Sequence, residues 1–407
     1  MNAVANAVTL PSWLRFDDLP RAYGEPPVRG VLRARPEDFI VEEELAFGPD
    51  GEGEHCLLRV RKTGANTEWT ARLLARLCGI PAKAVGYAGL KDRHAVTTQW
   101  FSVLLGNQQP PDWSPLEAEG IEVLECHRHR RKLRRGLLAA NHFRLRLRAV
   151  QGDLDGLAQR LKTIAIDGVP NYFGPQRFGH DDGNLIRADA LFRTQSDNQT
   201  SAKGGRRGAR QPDRHQRGLW LSAARSQLFN EVLATRVQQR TWRQALPGER
   251  LQLFGSHSHF LAEQIDDDIR ARVDSGDLQP TGPLFGAGEP LTTADVADLE
   301  TAVADRFPNW LAGLAAADLR QERRPLGLLP EHIGLEFPAP DAASDSDPVP
   351  DSVSEQGSDH DSAQVSDVAS GADSGQVLLC FTLPPGSYAT AVLRELFFLD
   401  ENQGQCI

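Results

Sequence analysis

The chain has 407 residues, 40% of them hydrophobic and 25% charged, which is ordinary for a globular protein of two or three domains. No apolar run approaches the roughly 20 residues of a membrane span, and residues 1–8 lack the features of a secretory signal, so we expect a cytoplasmic protein without a membrane partner. The five cysteines are scattered without a CxxC pair. Cys126, His127 and His129 could form part of a metal site, but the basic run that follows them would repel a cation, so the sequence predicts no metal site.

The formal net charge of −10 arises from one segment, because residues 341–375 hold nine carboxylates and no Lys or Arg. Setting those nine charges aside leaves the remainder at −1. The segment is rich in Ser and Asp and nearly free of aromatic residues, so we expect an acidic disordered linker over 338–375. Two interpretations of the linker stay open: a neutral spacer, and an autoinhibitory segment that competes with an anionic ligand for nearby cations.

Strand patterns dominate the first 150 residues. Five segments have the apolar character or the period-two alternation of strands: 31–44, 55–62, 84–90, 98–105 and 141–148. Between the second and third of these, Asn66 or Thr67 is predicted to cap a helix that ends at Gly79.

Helical patterns follow. A helix over 154–166 leads to a mostly helical stretch that extends to about Phe337, in which Ser222 is predicted to cap a helix from Ala223 onward. After the acidic linker come a strand over 376–383 and a helix over 388–398. This order predicts an α+β fold in which one domain, formed by residues 1–166 and 376–407, is interrupted by a mostly helical α+β domain over 167–337.

Basic residues are clustered. Residues 127–135 contain six Lys or Arg, and residues 193–217 contain seven against two carboxylates. Arg144, Arg146 and Arg148 alternate with two leucines, which gives one strand a cationic face. A single basic run is often only a solvated loop, but several clusters on a neutral body favour a nucleic-acid partner.

Asp92 is the best candidate for a reacting group. The sequence lacks the phosphate-loop, dinucleotide, nucleophile-elbow and HExxH motifs, so we expect chemistry by side chains without a cofactor. Asp92 lies in a polar connection between two apolar strands, where a carboxylate alone is usually a surface turn residue. Lys91 and Arg93 flank it, but neighbours in an extended backbone point to the opposite face, and we therefore predict that Arg177 supplies its cation.

Residues 86–99, which read Gly-Tyr-Ala-Gly-Leu-Lys-Asp-Arg-His-Ala-Val-Thr-Thr-Gln, resemble the TruD family of tRNA pseudouridine synthases, in which the Asp is catalytic. Four more segments are similar to that family and occur in its order: 35–39, 141–143, 171–179 and 381–388. The resemblance implies a pseudouridine synthase catalytic domain with a mixed or antiparallel sheet, interrupted by the family's own inserted domain. It also implies a tRNA substrate with uridine 13 as the target, no cofactor and no metal.

The resemblance assigns roles to individual residues. Asp92 would be the nucleophile, Phe39, Asn141 and Phe381 would contact the target nucleotide, and Phe143 stands where other pseudouridine synthase families usually place a Tyr. Lys91 and Arg177 complete the predicted substrate-binding set. We expect a monomer, since the sequence shows no obligate protein partner.

Two other functions remain open on the residues alone. A non-catalytic RNA-binding or RNA-folding module would share the basic clusters but would give no reason for Asp92. A glycosidase-like hydrolase would free the base instead of joining it again to the sugar. The step that the carboxylate performs also stays open: attack on the sugar, attack on the base, or abstraction of a sugar proton.

Overall fold

The computed structural model describes residues 13–200, 213–338 and 375–400. The predicted acidic linker falls almost wholly outside these residues, as does much of the basic run 193–217. The strands are β1 (Val28–Leu32), β2 (Phe39–Leu45), β3 (His55–Thr63), β4 (Gly86–Tyr87), β5 (Val96–Leu104), β6 (Ile121–His129), β7 (Leu138–Gly152), β8 (Val169–Pro170), β9 (Glu249–Leu253), β10 (His259–Ala262), β11 (Leu278–Leu284), β12 (Glu322–Pro325), β13 (Gly327–Leu328), β14 (Glu331–Glu336), β15 (Val377–Leu383) and β16 (Phe397–Asp400). The helices are α1 (Thr67–Leu77), α2 (Leu154–Asp167), α3 (Gly183–Thr200), α4 (Arg214–Gln238), α5 (Asp267–Asp274), α6 (Ala294–Ala304), α7 (Pro308–Ala316) and α8 (Ala389–Leu396).

The chain forms two compact units. Within the described residues, the sheet unit comprises residues 26–167, 329–338, 375–389 and 396–400, and the helical unit comprises residues 13–25, 168–200, 213–328 and 390–395. The long stretch of the helical unit overlaps the interruption expected over 167–337. No sequence pattern indicates that residues 13–25 and most of α8 belong to that unit.

A single large sheet organises the sheet unit. Within the described residues it has ten strands, seven of which follow the order β14-β15-β7-β2-β5-β3-β6. The pairs β2–β5 and β1–β16 are parallel, whereas the other pairs are antiparallel. The α+β fold with a mixed sheet is therefore confirmed. The 15-residue strand β7 is its centre, because it pairs with β1, β2 and β15.

The alternation read from the sequence of β7 explains its place in the sheet. Leu145 and Leu147 are fully buried, while the arginines between and beside them are only partly buried. A buried cluster also lies around α1, and it includes Leu74 of α1, Leu58 of β3 and Phe101 of β5. Asn66 caps this helix as predicted, since its side chain accepts a hydrogen bond from the Trp69 N–H at 2.8 Å.

Aromatic packing organises the helical unit. Trp310 of α7 lies against Phe192 of α3, with ring centroids 6.2 Å apart, and its indole N–H donates to the buried Asp189 at 2.9 Å. Gly313 is required at this contact, because a Cβ there would lie 1.9 Å from the Phe192 ring. The unit also has a four-stranded sheet in the order β10-β9-β11-β12. No helix in the described residues is both long and apolar enough to cross a bilayer.

Three local expectations were wrong. Residues 31–44 are not one strand, because a 3-10 turn over Pro36–Asp38 separates β1 from β2. Ser222 does not cap a helix: it lies inside α4, which begins after Asp213, whose carboxylate accepts from the Gln216 N–H. The helix expected over 388–398 ends at Leu396, and the chain continues as strand β16.

We predict that Leu145→Ala lowers the free energy of unfolding by about 2–5 kcal/mol, because it opens a cavity in a fully buried position of the central strand. Leu104→Ala is the matched control, since Leu104 is 39% exposed at the end of β5. Urea unfolding followed by circular dichroism measures both. Equal losses for the two variants would contradict this account of the core.

Candidate active site

Four of the predicted site residues share one face of the large sheet. Phe143 of β7 pairs with Val41 of β2 on one side and with Phe381 of β15 on the other. Cross-strand partners place their side chains on the same face, and so do residues two apart along a strand. Asn141 and Phe39 therefore join Phe143 and Phe381 on this face.

The three phenylalanines of this face contact one another. The Phe143 and Phe381 rings are stacked, with centroids 5.1 Å apart, and Phe39 meets Phe143 edge-on at 6.3 Å. Phe39 and Phe381 are 4% and 2% exposed, whereas Phe143 is only partly buried. Phe143 is thus the ring of the three that offers the most surface to a ligand.

The turn before Phe39 is fixed by a buried carboxylate. Asp38 is 1% exposed; it accepts a hydrogen bond from the Arg35 N–H at 2.9 Å and forms an ion pair with Arg148 of β7 at 2.8 Å. These contacts hold the start of β2 against the central strand. They give a physical reason for the Arg-Pro-Glu-Asp-Phe motif, in which Pro36 starts the turn and Asp38 closes it.

Asp92 forms an ion pair with Arg33. The Arg33 Nη2 donates to Asp92 Oδ2 at 2.6 Å, and the guanidinium also lies 3.9 Å from the centre of the Phe39 ring. Arg33 follows β1 with a φ of 61°, a left-handed conformation that costs a non-glycine residue about 1–3 kcal/mol and is concentrated at functional sites. No sequence motif identifies Arg33 as a site residue. Its position shortly before the Pro36 turn is the only sequence signal for it.

The two cations that flank Asp92 bind other groups. Lys91 Nζ lies 3.3 Å from Glu43 Oε1 and donates to Asn141 Oδ1, while Arg93 Nε donates to the Gly64 carbonyl at 3.2 Å. The expectation that these neighbours turn away from Asp92 is consistent with these contacts. They leave the pairing of Asp92 to a residue from another strand.

Glu43 is a second residue that the sequence analysis missed. Its side chain is fully buried, its Oε2 accepts from the Trp100 N–H at 2.9 Å, and Lys91 is its ion-pair partner. Burial raises the pKa of Glu43, and the nearby Lys91 ammonium partly offsets that rise. The Glu43–Lys91 pair lies next to Asn141 on the face that carries the phenylalanines.

The orientation of the Asn141 amide follows from its partner. A lysine ammonium has only donors, so the Asn141 atom that faces Lys91 must be the carbonyl oxygen. The NH2 group of Asn141 has no acceptor among the described residues, so it can donate to an acceptor on a ligand. Lys91 therefore acts on the predicted binding face through Asn141.

The loop that carries Asp92 is held by side chains from α1 and β5. The Gln99 amide donates to the Gly89 carbonyl at 2.6 Å, and Thr67 Oγ1 accepts from the Lys91 N–H at 2.9 Å. Thr67 and Gln99 are buried and hydrogen-bonded to each other at 3.0 Å. Backbone groups of an irregular segment need such partners when they are removed from water.

Comparison with known proteins identifies the family. The family profile of tRNA pseudouridine synthase D (TruD) matches residues 20–187 and 196–309. The chain belongs to the TruD family. Among proteins of that name, one from Methylococcus capsulatus is 44% identical over 385 residues, covering 95% of this chain and 96% of its own. One from Hydrogenovibrio crunogenus is 40% identical over 388 residues, covering 95% and 98%.

A solved structure supports the same fold. The crystal structure of a Methanosarcina mazei protein assigned as tRNA pseudouridine synthase D (TruD) superimposes with a TM-score of 0.62 at 20% identity. The match covers 92% of this chain and 95% of that one. At this identity the comparison shows the TruD fold and no residue roles.

Arg177 lies in the helical unit of this TruD protein. Its Nη1 donates to Ser222 Oγ at 3.2 Å, and its guanidinium lies 5.6 Å from the centre of the Phe173 ring. In the sheet unit the cation on Asp92 is Arg33. The predicted role of Arg177 in binding the substrate stays a prediction.

The described residues contain no group of three or more His, Cys, Asp or Glu side chains arranged to hold a metal ion. Cys126 is half-buried, and burial raises the pKa of its thiol to about 12, so it stays protonated at neutral pH.

We predict that Lys91→Met lowers the free energy of unfolding by about 3 kcal/mol at pH 7, because the buried Glu43 carboxylate loses its partner. The loss shrinks as the pH falls towards 4.5, the ordinary pKa of a glutamate, because Glu43, whose pKa is raised in the folded protein, becomes neutral first. Urea unfolding at pH 7 and pH 5 measures the difference.

The double variant Lys91→Met/Glu43→Gln is the control, since its neutral amide still accepts from the Trp100 N–H. It should recover part of the stability at pH 7. A loss for Lys91→Met that is the same at both pH values would contradict the ion-pair interpretation.

Proposed function

We propose that this tRNA pseudouridine synthase isomerises uridine 13 of tRNA, with Asp92 as the nucleophile. The observation that carries the proposal is the Asp92–Arg33 pair. The carboxylate is 35% exposed, Oδ2 accepts from Arg33, and Oδ1 has no hydrogen-bond partner among the described residues. One oxygen is therefore held in place while the other is available to react.

The reaction requires no oxidant and no added group. The N1–C1′ bond breaks, the base turns over, and C5 joins C1′; the proton on C5 passes to solvent and N1 gains one. A carboxylate that forms a temporary covalent bond to the nucleotide divides this exchange into smaller steps. The Arg33 guanidinium offsets the charge of Asp92 in a half-buried place and fixes its orientation, which shortens the search for a reactive geometry.

The aromatic face suits a base that has left its stack. Extruding a nucleotide costs a few kcal/mol, and stacking on an aromatic ring returns roughly 1–3 kcal/mol per base. Phe143, backed by Phe381, offers a partly exposed ring beside the Asn141 amide. The Asn141 NH2 group is a suitable donor to a uracil carbonyl. The amino group of cytosine is itself a donor, so it could not accept this hydrogen bond.

The cellular compartment of the reaction is inferred from the sequence alone. The odd, scattered set of five cysteines suits a reducing compartment, which supports the cytoplasm. A monomeric state also remains a prediction. The alternatives of a non-catalytic RNA-binding module and a hydrolase that releases the base become outcomes of the test below.

We predict that Asp92→Asn abolishes tritium release from C5-labelled uridine in tRNA, because the amide keeps the size of the carboxylate but loses its nucleophilicity. The affinity for tRNA should stay within about threefold of wild type, and mapping of the wild-type product should place pseudouridine at position 13. Asp112→Asn is the matched control: it removes an exposed carboxylate of the same unit, bonded only to Ser114 in the described residues, and should release tritium normally.

Near-normal release by Asp92→Asn would refute Asp92 as the nucleophile. If wild-type protein binds tRNA but releases no tritium, the binding-module alternative is favoured. Free uracil in the chromatogram of the digested wild-type product would show hydrolysis instead of isomerisation.

A further inference from the structure

A lysine without solvent exposure lies beneath the loop that carries Asp92. Lys62 is at the end of β3 and is 0% exposed. Its Nζ donates to two backbone carbonyls, that of Ala65 at 2.6 Å and that of Asp92 itself at 3.3 Å. The second contact joins a buried ammonium directly to the backbone of the proposed nucleophile.

The charges around Lys62 come from two elements. The loop contributes Asp92 and Lys91, and β2 contributes Glu43. The residues paired with Lys62 in the sheet, Thr97 of β5 and Ile121 of β6, are uncharged. Burial is the largest influence and lowers the pKa of Lys62 to about 8; Asp92 and Glu43 raise the pKa, and Lys91 lowers it.

Burying this ammonium is unfavourable for folding. A charge that leaves water needs partners, and Lys62 has two carbonyls and no direct ion pair among the described residues. A methionine would occupy nearly the same volume without that cost. A hydrogen bond with a purely structural role could be made by a neutral donor. The Gln99 amide, for example, donates to the Gly89 carbonyl in the same loop.

We infer that Lys62 is a positioning residue for Asp92: it anchors the backbone carbonyl of the nucleophile while Arg33 holds the carboxylate. This rests on the function proposed above. The hydrogen bond to the Asp92 backbone carbonyl and the ion pair with its carboxylate together fix where Asp92 Oδ1 meets the nucleotide. A displacement of about 1 Å at a reacting atom can lower a rate by about 100-fold.

The positive charge of Lys62 also offsets the negative charges of Asp92 and Glu43. Its ammonium is close enough to Asp92 and Glu43 for their charges to affect its protonation, so it offsets negative charge in the loop. As the pH rises through about 8, Lys62 loses its proton and this compensation is lost. The single-turnover rate should therefore fall above that pH while tRNA binding does not change.

Lys62→Met tests the inference, and Arg61→Met is its matched control. Arg61 is the preceding residue of β3, faces the other side of the sheet, is paired with Glu122 and is 31% exposed, so the same charge is lost from a surface ion pair. Lys62→Met should lower kcat for pseudouridine formation by about 10- to 100-fold with KM for tRNA within about threefold. Arg61→Met should keep kcat within about twofold.

Lys62→Gln provides the second variant, in case Lys62→Met does not fold. The amide keeps a donor without the charge, so kcat should be intermediate and the fall in rate above pH 8 should disappear. A wild-type kcat for folded Lys62→Met, or an alkaline fall that persists in Lys62→Gln, would overturn the inference. These results differ from failure of the proposed function, in which wild-type protein itself would form no pseudouridine.

Discussion

The ion pair between Asp92 and Arg33 joins residues that are 59 positions apart in sequence, and the proposed chemistry depends on it. A carboxylate half in contact with water has many orientations unless a partner selects one. Arg33 can fix one orientation of the carboxylate only if the Arg33 backbone is itself fixed. That backbone has a left-handed φ directly after β1. The pairing of β1 with β7 and the stacking of Arg33 over Phe39 hold that conformation in place.

The elements around the loop that carries Asp92 fix the backbone of that loop. The segment that carries Asp92 has almost no regular structure, so its backbone polar groups depend on side chains from the surrounding elements. Thr67 of α1 and Gln99 of β5 bind the loop before Asp92, and Lys62 of β3 binds it at Asp92. Three neighbouring elements thus determine where one carboxylate lies. The Glu43–Lys91–Asn141 chain extends the same buried polar cluster to the face that would meet the base.

Site residues in long local motifs can be predicted from the sequence, whereas those that depend on strand register cannot. Asp92, Phe39 and Asn141 stand in recognisable segments, and the alternation in β7 was enough to place its leucines inside. Arg33 could not be identified as the partner of Asp92, because that contact exists only once β1, β7 and β2 are aligned. The small sheet of the helical unit was missed for a different reason: β11 contains Pro280 and Pro283, which read as interruptions of a strand. The sequence predicts Ser222 as a cap because the first residues of α4, which follow Asp213, are polar and lack an apolar stripe.

The most direct test of the account is the single-turnover rate of Arg33→Met on tRNA. If the ion pair holds Asp92 in its reactive orientation, the rate of pseudouridine formation falls by about 100-fold while tRNA affinity changes by less than about threefold. Arg29→Met removes an exposed arginine from the same strand and controls for the lost charge. A rate for Arg33→Met within twofold of wild type would contradict the central claim that Arg33 positions the nucleophile.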